Sequence, residues 1–286
     1  LAPLHNPPNL IGIREGMALL PDVPHVAVFD TAFNQTMPPK AYIYALPYSF
    51  YEAHKIRKYG FHGTSVRFVC QQAAEMLTRP LASLKMVVLH LGNGVTMTAV
   101  SGGQAVDTTI GFATFSGVMM GTRSGDIDPG LIFHMHRQLG LSPAEIERIV
   151  YKESGLLGVS GVSNDVRVIT EAAQAGNARC QLALDKFAYM AKKYIGAFAA
   201  AMGGLNCVVF TAGIGENSPL MRQMICADLE FLGVELDETQ NERAVGGRQA
   251  EMINKAEGKT AVLVIPTNEE KMIALDTARL TMSGER

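Results

Sequence analysis

The sequence lacks the cysteine patterns that mark metal sites and disulfide frameworks. Its four cysteines, Cys70, Cys180, Cys207 and Cys226, include no C-x-x-C pair and no cluster with histidine. This spacing argues against a structural zinc site and against a disulfide scaffold. The cysteine usage is typical of a protein from a reducing compartment, and we expect a cytoplasmic location.

Long basic runs are also absent, and the formal net charge is −2. A nucleic-acid-binding surface needs a basic patch or stripe, so the charge pattern favours small ligands over nucleic acid. The uncharged stretch IGAFAAAMGGLNCVVFTAGIG, residues 195–215, is long enough to raise the question of a membrane span. Because Gly203, Gly204 and Asn206 divide it into the end of a helix, a turn and a buried strand, we expect no such span.

Neither common nucleotide-binding signature is present, since G-x-x-x-x-G-K-[ST] and G-x-G-x-x-G do not occur. Two glycine turns follow predicted strands instead. The first, Gly92-Asn93-Gly94, is on its own typical of a plain β-hairpin, but its two glycines also leave the backbone amides open to a phosphate. The second, Gly213-Ile214-Gly215, leads into a helix N-terminus, which favours an anion. Together the two turns indicate an extended phosphate ligand.

Periodicity and turn residues predict an α/β protein with a large core, in one large or two medium domains. We expect loop structure without helix or strand over residues 1–12, a short buried strand in residues 25–33 that ends at Asp30, and a helix over residues 65–78. The hairpin around the first glycine turn and a third strand at residues 104–109 predict an antiparallel ribbon of three strands.

Capping residues predict where the later helices begin. The predicted caps are Asp128, Ser142 with Glu145 three residues later, Ser218, and Thr267 with Glu270. A long helix over residues 177–202 ends at Gly203, and AVLVIP, residues 261–266, is a buried strand. Residues 244–259 are polar and predict a surface excursion.

Four side chains could carry chemistry, and three of them have a plain structural alternative. Asp30 is a candidate Mg²⁺ ligand or base, although aspartate is also a common turn former. His62 could donate to a transferring phosphoryl group, or be a hydrogen-bonded loop histidine. Arg123 could clamp phosphate, or form a loop salt bridge. Because the predicted capping box uses Glu270, Glu269 is the freer carboxylate for a metal.

Seven segments, in order along the chain, resemble the acetate kinase family, which includes propionate kinases. They are FDTAFNQTMP, YGFHGTS, HLGNG, GTRSGDIDP, ESGLLGVSGVSNDVR, TAGIGEN and PTNEE. The resemblance runs from residue 1 to about residue 280. It implies the acetate and sugar kinase/Hsc70/actin fold, with a ribonuclease-H-like core in each of two lobes and ATP between them. Residues 1–33 would then be part of the N-terminal lobe, residues 34–268 the C-terminal nucleotide-binding lobe, and residues 269–286 a helix that returns toward the first lobe.

The resemblance also assigns roles to the candidate residues. Asp30 would be the catalytic aspartate near Mg²⁺ or Mn²⁺, His62 and Arg123 would stabilise the phosphoryl transition state, and Glu269 would be a metal ligand. The residues implied in ATP or ADP binding are His90, Leu91, Gly92, Asn93, Gly94, Asp165, Val166, Arg167, Gly213, Ile214, Gly215, Glu216 and Asn217. The implied substrate is acetate or propionate, and the implied partner is a second copy bound through the C-terminal lobe.

The chain departs from the family pattern in several places. The family's N-x-G-S-S-S loop and H-R-x-x-H-G-G segment do not occur in these 286 residues. We therefore expect about a domain's worth of chain to precede Leu1 in a full-length protein, and the present chain to be inactive alone. Asn34 and Val66 stand where the family usually has histidine, and Val95 and Thr96 where it has smaller residues. A non-catalytic nucleotide-binding relative is the alternative, while HLGNG and GTRSGDIDP argue against an actin-like structural module.

Overall fold

A computed structural model describes residues 6–247 and 249–282 of the chain. Its strands are β1 (Lys85–Leu91), β2 (Val95–Ser101), β3 (Gln104–Thr108), β4 (Cys207–Thr211), β5 (Glu251–Met252) and β6 (Ala261–Val264). Its helices are α1 (Asn6–Leu19), α2 (Pro39–Tyr42), α3 (Ser49–His54), α4 (Gly63–Met76), α5 (Gly130–Arg137), α6 (Pro143–Lys152), α7 (Gly155–Ser160), α8 (Val166–Gln174), α9 (Ala178–Met202), α10 (Ala212–Asn217), α11 (Pro219–Cys226), α12 (Glu238–Arg243) and α13 (Glu269–Met282). Short 3-10 turns lie at Ala32–Thr36, Leu81–Ser83 and Glu230–Leu232.

The strands of the described residues form one six-stranded sheet in the order β3-β2-β1-β4-β6-β5. The first three strands are the predicted antiparallel ribbon, in which Leu91 pairs with Val95 across the turn. Strand β4 then pairs in parallel with both β1 and β6, as helical crossovers require. The predicted α/β fold is therefore confirmed.

Both faces of the sheet are covered, so its central strands are apolar throughout. Val87 and Leu89 of β1 belong to the core under the long helix α9, whereas Met86 and Val88 belong to a second core under α4. Successive side chains of a strand point to opposite faces, which explains this division. The sheet is thus a rigid base whose strand ends carry the loops.

Most predicted helix ends are confirmed by their caps. The Ser142–Glu145 capping box starts α6, Ser218 accepts from the amide of Met221 at the start of α11, and Gly203 ends α9 in the left-handed conformation. Residues 195–215 indeed contain the end of α9, a turn and β4. Among the described residues, no helix combines the length and apolar character needed to cross a membrane.

The N-terminal part differs from its sequence prediction. Loop structure was expected over residues 1–12, of which residues 1–5 lie outside the described part of the chain. Residues 6–12 belong instead to helix α1, which runs over residues 6–19 and has no buried residue. The predicted strand within residues 25–33 is wrong, because this segment joins no sheet and Phe29 is 68% exposed. An apolar alternating stretch becomes a strand only where a neighbouring strand accepts its backbone hydrogen bonds, and the described residues offer none here.

Two helix caps and the segment at residues 244–259 also differ from their sequence predictions. Asn268, not Thr267, caps α13 by accepting from the amide of Lys271 at 2.9 Å. Helix α5 starts two residues after Asp128, which still accepts from the amide of Gly130. The excursion at residues 244–259 contributes the short edge strand β5 and the buried Ile253, so it is partly core.

Candidate active site

The first glycine turn lies against two of the predicted catalytic side chains. It joins β1 to β2, and the amide of Gly92 donates to the carbonyl of Gly94 at 3.1 Å. Neither glycine has a positive φ, so conformational freedom does not explain them. A Cβ on Gly94 would lie 3.4 Å from Cε1 of His62 and 3.9 Å from Nη1 of Arg123. The absence of side chains therefore lets the turn backbone approach both residues.

His62 is held from three sides at the start of α4. Its backbone has a left-handed φ of 54°, which aims its amide at Oδ2 of Asp30, 2.6 Å away. Nδ1 of the ring is 2.7 Å from the hydroxyl of Thr96, and the ring stacks on His90 with centroids 4.1 Å apart. The strained backbone and the ring contacts together fix the direction of the imidazole.

A chain of hydroxyl groups fixes His90 in turn. Thr267 donates to the hydroxyl of Ser65 at 2.7 Å, and that hydroxyl is 2.9 Å from Nδ1 of His90. Burial, with a smaller contribution from His62, lowers the pKa of His90 to about 3, so its ring is neutral. Sequence reasoning missed Ser65, Thr96 and Thr267, because nothing in the local pattern distinguishes a hydroxyl that supports a histidine from any other.

Asp30 is tied to α4 although its own segment is exposed. Its carboxylate accepts from the amides of His62 and Thr64, and its carbonyl accepts from the amide of Gly63 at 2.8 Å. Glu269 faces Asp30 from the first turn of α13. Burial raises the pKa of Glu269, and the charges of Asp30 and Glu270 raise it further. The negative charge of Asp30 near the carboxyl of Glu269 makes this a place where a divalent cation is favoured.

The donor set fits Mg²⁺ or Mn²⁺ better than a fully protein-bound metal. No group of three or more His, Cys, Asp or Glu side chains converges in the described part of the chain. Mg²⁺ is commonly held by one or two carboxylates, with water and phosphate oxygens in its other positions. Asp30 and Glu269 would therefore be the residues that hold it.

Arg123 is positioned by hydrogen bonds to a neighbouring loop. Its Nη1 donates to the carbonyl of Thr114 at 2.9 Å, and burial lowers the pKa of its guanidinium. Arg123 takes part in none of the ion pairs between described residues, so the salt-bridge alternative is not what the structure shows. Its remaining nitrogen donors can serve a bound anion.

The second glycine turn lies beside the first. His90 and Thr211 pair across the parallel strands β1 and β4, so both strands end at the same edge of the sheet. The sequence predicted that the glycines of the second turn precede a helix. They lie instead inside α10, which begins at Ala212. A Cβ on Gly213 would meet no atom within 4 Å, so this glycine leaves open space.

Side chains after the second glycine turn hold it to the rest of the sheet edge. Oε1 of Glu216 accepts from the amides of Ala212 and Thr267, and Oδ1 of Asn217 accepts from the amide of Gly246 at 3.1 Å. These two residues of the predicted nucleotide set therefore have structural partners. Their backbone and the open space at Gly213 are what the turn offers a ligand.

The third predicted nucleotide segment is at the surface. Asp165 caps α8 and forms an ion pair with Arg167, which lowers the pKa of Asp165. The preceding residue, Asn164, donates to Oδ1 of Asn93 at 3.4 Å and so connects this segment to the first glycine turn. The side chain of Val166, between Asp165 and Arg167, is buried.

The departures from the family pattern have different surroundings. Val66 is fully buried in the core under α4. Thr96 supplies the hydroxyl that contacts His62. Asn34 is also fully buried, and neither Oδ1 nor Nδ2 of its side chain has a hydrogen-bond partner. Unpartnered buried amides are uncommon and cost stability.

Comparisons with known proteins identify the family of the chain. The sequence model of the Acetokinase family matches residues 1–275. Acetate kinase of Thermotoga petrophila is 53% identical over 281 residues, which is 98% of this chain and 70% of the relative. Acetate kinase of Heliobacterium modesticaldum is 54% identical over 280 residues, again 98% and 70%.

Solved structures give the same result. The crystal structure of Porphyromonas gingivalis acetate kinase has a TM-score of 0.94 and 47% identity over 98% of this chain and 70% of that one. A propionate kinase from Francisella tularensis has a TM-score of 0.88 and 42% identity over 96% and 69% of the two chains. The fold is thus the acetate kinase fold that the sequence resemblance implied, and the chain belongs to the acetokinase family.

Proposed function

We propose that this chain is the main part of a kinase that transfers the γ-phosphoryl group of ATP to acetate or propionate. The reaction requires Mg²⁺ and is reversible. The observation that carries the proposal is the convergence of His62 and Arg123 on the backbone of Gly94. A histidine, an arginine and a glycine backbone without side chains around one point match what a transferring phosphoryl group needs.

The reaction joins a carboxylate oxygen of the substrate to the γ-phosphorus and breaks the bond from that phosphorus to the bridging oxygen of ADP. The substrate is already ionised at neutral pH, so no base has to remove a proton from it. Catalysis then depends on alignment and on neutralising the oxygens of the phosphoryl group. Arg123 supplies a half-buried positive charge and His62 a directed ring nitrogen.

Neighbouring groups keep these two side chains in position. The stack on neutral His90 and the contact with Thr96 restrict the ring of His62. The carbonyl of Thr114 holds one nitrogen of Arg123 and leaves the others for phosphate. A bound Mg²⁺ would neutralise phosphate charge, and Asp30 and Glu269 would hold it.

The nucleotide would extend along the sheet edge. The first glycine turn would hold its phosphates, and α10 together with residues 165–167 would hold its adenosine end. This arrangement is supported by the two adjacent strand ends and by the open space at Gly213. The homodimer and the cytoplasmic location remain predictions, and light scattering tests the first.

Titration calorimetry with ATP and Mg²⁺, together with an acyl phosphate assay, tests the proposal. In a version of the protein that also contains the two family segments absent from these residues, Arg123→Ala is compared with Arg148→Ala, which removes a surface arginine paired with Glu153. We expect the first variant alone to lose phosphoryl transfer. Equal transfer by both variants would contradict the role of Arg123.

The family's N-x-G-S-S-S loop and H-R-x-x-H-G-G segment, which do not occur in these 286 residues, should affect the rate of acyl phosphate formation. We expect the 286-residue chain to bind ATP but to form acyl phosphate far more slowly than a family member that contains both segments. Turnover at the same rate would show that neither segment is needed. ATP binding without any transfer by a version that contains both segments would favour the non-catalytic alternative.

A further inference from the structure

Arg222 is a buried cation that none of the site assignments uses. It lies in α11, is fully buried, and donates hydrogen bonds to no carboxylate in the described part of the chain. Its guanidinium donates to oxygen atoms only of neutral groups. These bonds run from Nη1 to the carbonyl of Gly215 at 2.8 Å, from Nε to Oδ1 of Asn241 at 2.7 Å, and from Nη2 to the carbonyls of Asn241 at 2.6 Å and Ala244 at 2.8 Å.

Such a residue is costly as a purely structural element. Burial lowers the pKa of Arg222 to about 10, so it still carries its charge at neutral pH. A well-packed apolar side chain avoids the cost of burying a charge and is often as stable or more stable. The fixed fork of the guanidinium, however, can hold several carbonyls in one geometry, which an apolar side chain cannot do.

The carbonyls that Arg222 holds belong to two segments that meet around the second glycine turn. One is α10, through Gly215, and the other is the chain at residues 241–247 after α12. The second segment also contacts α10 directly, because the amide of Gly246 donates to Asn217. A Cβ on Gly247 would lie 2.9 Å from Oε2 of Glu216. Residues 241–247 therefore pack beside the C-terminal half of α10.

We propose that Arg222 is a positioning residue that fixes α10 and residues 241–247 as the two sides of a pocket for the adenosine end of the nucleotide. This inference rests on the proposed function. The phosphates would lie at the first glycine turn, next to His62 and Arg123, so the base and ribose extend along α10 away from that point. Arg222 holds these two segments from the buried side of the pocket and does not contact the ligand.

The test compares ADP with inorganic tripolyphosphate, which has a phosphate chain, one phosphate longer than that of ADP, but no adenosine. Affinities of both ligands are measured by calorimetry for the wild-type chain, Arg222→Lys and Asn241→Ala, well below their unfolding temperatures. Lysine keeps the charge but lacks the fork, and Asn241→Ala keeps Arg222 but removes one acceptor. Lys85→Met is the matched control, since Lys85 donates to the carbonyl of Gly203 at the opposite end of β1.

We expect ADP affinity to fall about tenfold in both site variants, as the loss of one or two charge-assisted hydrogen bonds implies. Affinity for tripolyphosphate, and both affinities of Lys85→Met, should stay unchanged. If Arg222→Lys does not fold, Asn241→Ala decides. Unchanged ADP affinity, or an equal loss for ADP and tripolyphosphate, would overturn the role of Arg222 alone. Absence of ADP binding by the wild-type chain would overturn the proposed function itself, and this role with it.

Discussion

The sheet edge that carries the two glycine turns and the segment that carries Asp30 are built in opposite ways. Strands β1 and β4 end in fully buried residues such as Leu91 and Thr211. Asp30 follows a stretch with no sheet partner, and Phe29 beside it is 68% exposed. The side of the site that carries the two glycine turns is therefore part of the core. The carboxylate side is fixed mainly by amides at the start of α4.

The largest expected effect on stability comes from adding a side chain next to the backbone that carries Arg123. Gly155 has a φ of +63°, and a Cβ there would lie 2.1 Å from the carbonyl oxygen of Met120 and 2.6 Å from that of Arg123. We expect Gly155→Ala to lower the free energy of unfolding by about 3 kcal/mol, because fixed backbone cannot move away. Denaturant unfolding measures this change.

Gly196→Ala is the control for this substitution. Gly196 lies inside α9 with no atom within 4 Å of its Cβ position, so alanine should stabilise the helix by about 0.5–1 kcal/mol. A loss of the same size in both variants would mean that crowding around Arg123 is not the cause.

The same substitution on the Asp30 side should cost less stability. A Cβ on Gly63 would lie 2.5 Å from the carbonyl oxygen of Asp30. Because the exposed segment can shift, we expect Gly63→Ala to lower the unfolding free energy by only about 1 kcal/mol. The shift should separate Asp30 from Glu269 and weaken Mn²⁺ binding, which electron paramagnetic resonance measures. Unchanged Mn²⁺ affinity would contradict the role of the amides in holding Asp30.

Asn34 lies in the 3-10 turn Ala32–Thr36 that follows Asp30. Its polar atoms are buried without partners, and a Cβ on Gly60 would lie 2.6 Å from its side chain. Asn34→Leu, which is similar in size, should raise the unfolding free energy by about 1 kcal/mol by removing the unpaired amide. A clear loss of stability would instead indicate a hydrogen-bonded water at the amide.

The smallest expected effect is a pH dependence. Burial and then Asp30 raise the pKa of Glu269 above its ordinary value of 4.5. The folded chain therefore keeps a proton that the unfolded chain loses, and this group lowers stability as pH rises from about 4.5 through the raised pKa. Asp30→Asn removes one cause, so its melting temperature should fall less between about pH 4 and pH 7 than that of the wild type. Equal slopes would show that the two carboxylates do not interact.

The sequence predicted best the features that local chemistry determines. The hairpin at Gly92–Gly94, the capping box at Ser142 and the end of α9 at Gly203 depend on turn and cap residues that act within a few positions. The prediction of a strand before Asp30 was wrong, because a strand depends on a neighbouring strand that the local sequence does not contain.

Contacts between distant parts of the chain could not be predicted for the same reason. Thr267 contacts Ser65, and Arg222 reaches Asn241, only because the sheet brings these residues together. The seven family segments located the candidate site, but not the hydroxyls and the buried arginine that support it.

Binding of ATP with Mg²⁺ to the wild-type chain and to Gly213→Ala tests the central claim most directly. Gly213 lies inside α10 and has no atom within 4 Å of its Cβ position, so alanine should not lower stability and should only reduce the space open to the nucleotide. We predict that the wild-type chain binds ATP and that Gly213→Ala binds it about tenfold more weakly without any loss of stability. No binding by the wild type, or equal affinity in the two chains, would contradict a nucleotide site along this sheet edge.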